Sequence, residues 1–151
     1  RRDLNPAFAT DRHDGTLQTS TRGVACGCNH DERRPMQDKL RALIEKHCAT
    51  LKADAVALNT ALVRMTDGSD DSAAGLSDAL FVAHRLKGGS GTIGFMQVSG
   101  LAHQLEQVLI ELEDSRTPPD ARQCDNVLAL NDTLQRSVET ISVDQSSLLQ
   151  R

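Results

Sequence analysis

His84 stands in the string HRLKGGSGTIG, residues 84–94, where a helical pattern carries an imidazole, a lysine three residues on, and glycines at 88, 89, 91 and 94. An imidazole whose Nδ1 proton is held by a carboxylate keeps a lone pair on Nε2 and is a nucleophile. Each glycine in a helix interior costs roughly 0.8–1 kcal/mol relative to alanine, so four forgo on the order of 3–4 kcal/mol. Something must compensate, and the spacing says what: the glycines strip side chains from the surface around one imidazole.

On a wheel of 100° per residue, the apolar stripe of this segment centres between Leu76 and Ala79, and His84 falls roughly 130° away. Gly88 and Gly91, at i+4 and i+7, share its face, and Lys87 lies close beside it. If the chain folds as a hairpin about Phe95, His84 stands level with Glu106, the two being equally far from the turn. Glu106 lies about 110° off the apolar stripe of its own segment, with His103 one turn earlier on the same side. A carboxylate there accepts the Nδ1 proton of His84, fixes the tautomer and leaves Nε2 exposed. His103 is either a surface histidine or a helper of that pair.

Four helices must position these groups. Leu40, Leu43, Ile44, His47, Leu51, Ala55, Leu58, Leu62 and Met65 recur at three- and four-residue steps, predicting a first helix from Met36 that DGSDD, residues 67–71, breaks. Asp71 or Ser72 caps a second, carried by Leu76, Ala79, Leu80, Ala83, Leu86 and Ile93 to about Gly94. Val98, Leu101, Ala102, Leu105, Val108, Leu109 and Leu112 mark the third. EDSRTPPD, residues 113–120, is a loop with Pro119 placed for a first helical turn, and Cys124, Val127, Leu128, Leu134, Val138 and Ile141 mark the fourth. The expected fold is all-α: an antiparallel up-down four-helix bundle over residues 36–145. Residues 1–35, without a sustained period, are expected as a disordered lead or linker, and 146–151 as a frayed tail.

Composition narrows the classes. The 151 residues suffice for one domain, and with no Trp or Tyr and three Phe the core must be almost wholly aliphatic. A formal charge of −4 argues against nucleic acid or an anionic membrane as the main partner. No run of 18 apolar residues and no secretory pattern is present, so a cytoplasmic protein without a membrane span is expected. Cys48 and Cys124 read as reduced core residues. Cys26, Cys28 and His30 in CGCNH offer a metal-binding reading, but no second ligand pair follows at a zinc-finger spacing, and no metal is expected.

HRLKGGSGTIGF resembles the phosphorylation motif of histidine-containing phosphotransfer domains, above all the phosphotransfer domain of chemotaxis-type histidine kinases, and HQLE, residues 103–106, is similar to the His and Glu of that family's next helix. The resemblance spans about residues 36–142, its specific part 80–112. It implies that His84 carries a phosphoryl group on Nε2, Lys87 offsets its charge, Glu106 orients the imidazole, and Gly88, Gly91 and Gly94 let a partner approach. The implied function is phosphoryl carriage between receiver-domain aspartates in a two-component phosphorelay, with response-regulator receiver domains and a sensor histidine kinase as partners. The alternative is the phosphoacceptor piece of a chemotaxis-type or hybrid histidine kinase, phosphorylated by its ATP-binding domain. No nucleotide loop appears in the chain, so it is expected to be no enzyme by itself and to need no cofactor, Mg²⁺ being expected in the partner receiver domain. The family's chemotaxis domain normally opens its chain, whereas this one follows about 35 irregular residues, which fits a stand-alone carrier or the C-terminal piece of a hybrid kinase.

Overall fold

The computed structural model describes residues 30–67, 70–115 and 117–150. Four helices follow in order: α1 His30–Thr66, α2 Ser72–Thr92, α3 Met96–Ser115 and α4 Ala121–Glu139. A short 3-10 turn, Val143–Gln145, comes after them, and there is no strand among the described residues. Each helix packs on its neighbours in sequence and α1 closes the ring against α4, giving the four-helix bundle that the four apolar stripes require.

The core is aliphatic, from Ile44, Leu51, Leu58 and Leu62 on α1 through Leu86, Leu105 and Leu109 to Leu134 and Val138, with Phe95 its one aromatic among the described residues. Leu43, counted on the apolar stripe from its spacing, is half exposed instead. Amide side chains tie α4 to α1 at the edge of this core: Asn131, buried on α4, donates to Oδ1 of the exposed Asn59 on α1 at 2.9 Å, and Gln135 donates to the Ala55 carbonyl at 2.5 Å. Gly75 sets how closely α2 approaches α1, since a Cβ there would stand 2.6 Å from the Met65 amide nitrogen.

Several boundaries differ from expectation: α3 runs to Ser115, into the expected loop 113–120, Ile141 lies past the end of α4, and two helix starts are displaced. Helix α1 begins at His30, not Met36, and runs through Pro35. Apolar period reports only the part of a helix that packs, and residues 34–39 are exposed, held in helix by continuity with the packed part and the propensity of Arg, Gln and Lys. At α4, Asp120 is the N-cap, bonded reciprocally with Gln123 (2.7 and 2.9 Å), so Pro119 stands outside the helix rather than in its first turn. The rest of the expected lead, residues 1–29 with Cys26 and Cys28, lies outside the described residues.

The larger correction is at the other end. Residues 146–150 are not frayed: Ser146 is fully buried and donates to the Ile93 carbonyl at 2.5 Å, the Ser147 amide donates to the Gly94 carbonyl at 3.2 Å, and Leu148 and Leu149 pack against the core. Asp144, just before, pairs with Arg41 of α1 at 2.6 Å. The run is too short and polar for a period to show, yet it straps the α2–α3 turn to the bundle.

Candidate functional site

That turn is built by glycine chemistry. Helix α2 ends in a motif in which the Phe95 amide reaches back to the Ser90 carbonyl (2.8 Å) and the Gly94 amide to Gly91 (3.2 Å). The motif requires a left-handed residue, and Gly94 supplies it with φ +83°. Gly94 is also buried, and a Cβ on it would stand 2.8 Å from the Ser147 amide nitrogen. Its lack of a side chain therefore serves the turn and the C-terminal strap, and the expectation that it faces a docking partner is corrected.

The hairpin places α2 and α3 in the register expected from the residue count. Nδ1 of His84 lies 2.7 Å from Oε1 of Glu106, although 22 positions separate them. Glu106 is 5% exposed and ionised, hence an acceptor only, so Nδ1 carries the proton and donates it. The His84 side chain is 73% exposed, which leaves Nε2 to solvent with its lone pair free.

Glu106 holds more than one neighbour. Nζ of Lys87 donates to its Oε2 at 2.5 Å, and Nδ1 of His103 lies 3.5 Å from the same oxygen, too far for a strong bond. Burial works to raise the pKa of this carboxyl, but the bonds from Lys87, His84 and His103 outweigh it and hold the carboxyl below its ordinary value of 4.5. Lys87 is thus engaged with the carboxylate that orients the imidazole, beside His84 rather than bonded to it.

The remaining two glycines of the docking group divide. A Cβ on Gly88 would meet nothing within 4 Å, so its bareness has no internal explanation. A Cβ on Gly91 would come within 3.1 Å of Oγ of Ser99, which donates to the Lys87 carbonyl at 2.9 Å. Gly91 therefore serves in part the approach of α3, a role that spacing on α2 alone does not reveal. Also missed was Asp54 on α1, 7% exposed and forked onto Arg85, the residue after His84 (3.0 and 2.5 Å). An acid among the apolar residues of the first helix was the available signal. Cys48 is buried, which pushes its thiol pKa up, while Cys124 is only partly buried and lines a cavity of about 570 Å³ at the opposite end of α2.

A family model described as Hpt domain matches residues 38–140. The match covers most of the chain and contains His84, Lys87, His103 and Glu106, and the chain belongs to the Hpt domain family. No match is found among curated proteins, nor among solved structures. Its members are phosphocarriers of two-component phosphorelays that work with receiver domains and histidine kinases, and a histidine phosphotransfer role follows for this chain. None of the described helices is long and apolar enough to cross a membrane.

Proposed function

We propose that this chain carries a phosphoryl group on Nε2 of His84 and exchanges it with aspartates of response-regulator receiver domains. The observation that carries the reading is the 2.7 Å bond from Nδ1 to Glu106 on a side chain otherwise open to solvent. When Nε2 attacks the phosphorus of an aspartyl phosphate, an N–P bond forms, the P–O bond to the carboxylate breaks, and the carboxylate leaves. The ring keeps its Nδ1 proton and gains positive charge, which the Glu106 carboxylate offsets. Lys87 then exchanges Glu106 for a phosphoryl oxygen, with the His103 ring, its Nδ1 3.5 Å from Oε2, the neighbour placed to take up that oxygen. The partner receiver supplies Mg²⁺, and the exchange takes place in the cytoplasm. The test is to mix the protein with a receiver domain bearing labelled aspartyl phosphate. An acid-labile, base-stable phosphate is expected on the chain, whereas incubation with labelled ATP alone leaves it bare. No label from any phosphorylated receiver refutes the proposal.

Glu106 orients and does not react, so Glu106→Ala is expected to slow transfer by about 10- to 100-fold without removing the phosphorylation site. The same group sets an acid response. A carboxyl whose pKa is depressed on folding adds stability that is complete above its unfolded value and is lost as pH falls through its folded value. Wild type should therefore lose stability below about pH 4.5 by a component that Glu106→Gln lacks, read from urea midpoints across that range. Wild-type transfer rates in Glu106→Ala, or identical acid profiles, would refute the assignment.

A further inference from the structure

Among the described residues, one exposed aromatic remains unexplained by the fold. Phe95 is buried, but Phe81, one turn before His84 on α2, is 65% exposed in a chain without Trp or Tyr. The guanidinium of Arg85 lies over its ring, 5.4 Å from Cζ to the ring centroid, and Arg85 is in turn forked onto the buried carboxylate of Asp54. Asp54, Arg85 and Phe81 form a stack that starts in the bundle and ends in a bare ring. Beside the ring runs a groove of about 280 Å³ between α1 and α2, lined by Ala57, Thr60, Arg64, Asp78 and Val82.

We propose that Phe81 is the anchor on which the receiver domain docks, with Arg85 and Asp54 as its positioning residues. The inference rests on the phosphorelay reading above and extends the footprint from the glycine side of His84 toward α1. A domain that brings an aspartyl phosphate to Nε2 covers several hundred Å² around it, and Phe81 is only about 5 Å along the helix from His84. Buried aromatics and arginines carry most of the energy of protein interfaces, and a side chain held in place before binding loses less entropy on docking.

The experiment measures the transfer rate to His84 against the concentration of a phosphorylated receiver domain that labels wild type, with phosphoramidate as a second donor. Phosphoramidate needs no docking: the N–P bond to His84 forms as its P–NH₂ bond breaks and ammonia leaves. Phe81→Ala is expected to raise the half-saturating receiver concentration about tenfold or more, with the maximal rate within about twofold and phosphoramidate labelling unchanged. Arg85→Lys, which keeps the charge but loses the fork, should shift it in the same direction by less, and Phe81→Leu should recover part of the loss. The urea midpoint of Phe81→Ala should match wild type, because the ring is mostly exposed. An unchanged concentration dependence overturns the inference. So does a sedimentation mass that falls on Phe81→Ala, which would assign the ring to a second copy of this chain. If phosphoramidate labels wild type and no receiver does, the phosphorelay reading fails and takes the inference with it.

Discussion

His84→Gln is expected to abolish phosphoryl acceptance while leaving the bundle as stable as wild type to within about 0.5 kcal/mol. Both halves follow from position. The side chain is 73% exposed and contributes little to the core. Glutamine can still donate to Glu106, so the buried carboxylate keeps a partner, with Lys87 on its other oxygen. What glutamine lacks is a nucleophilic lone pair where Nε2 stands, since an amide nitrogen's is delocalised. Labelling from a phosphorylated receiver and a urea titration on the same preparation read the two halves. Undiminished labelling would end the assignment of His84. Lost labelling together with a large fall in stability would mean that the imidazole serves the fold.

Glycines 88 and 94 should part company under substitution. Gly94→Ala forces an L side chain to φ +83° and drives a Cβ against the Ser147 backbone, so a loss of about 2–4 kcal/mol is expected, with release of the C-terminal strap. Gly88→Gln meets open space on a regular helix and should be neutral or stabilising by up to about 1 kcal/mol. Its added side chain nevertheless rises beside His84 where a receiver must sit, and transfer should fall sharply. Gly91→Gln is not a clean test, because helix propensity favours it while its Cβ presses on Ser99. Denaturation and transfer assays on the first two variants decide the matter. A Gly88→Gln protein that is less stable but transfers normally, or a Gly94→Ala protein with a native midpoint, would reverse the division.

What could be read in advance was whatever depends on period or count. The four stripes are apolar at helical steps because each helix buries one face, and the His84–Glu106 pairing follows from a hairpin with equal arms. What could not be read depends on which side chains meet where one segment packs on another. Ser99 against Gly91, Ser147 against Gly94, and Asp54 against Arg85 each join positions whose nearness exists only once the helices have packed. Gly94 was the most accessible of these, since a glycine just past the last apolar residue of a helix is the usual sign of a left-handed C-terminal residue. Near a motif rich in glycine, that local reading competes with the functional one, and here it accounts for the residue.

The amide pair of Asn59 and Asn131 has a consequence for how such a bundle stays in step. Stripes of leucine, valine and alanine are nearly interchangeable from one turn to the next, so two helices joined by them could slip by one turn, about 5.4 Å, at modest cost. Slippage of α4 along α1 would leave a buried carboxamide without its counterpart, costing about 1–3 kcal/mol. The pair therefore indexes α4 on α1 like a key in a keyway, and it does so on the α1–α4 side of the ring, away from the α2–α3 hairpin that carries His84 and Glu106. The scaffold is keyed in place from behind, and the hairpin that carries the imidazole needs no such key of its own, its register being set by the short turn at Gly94 and Phe95.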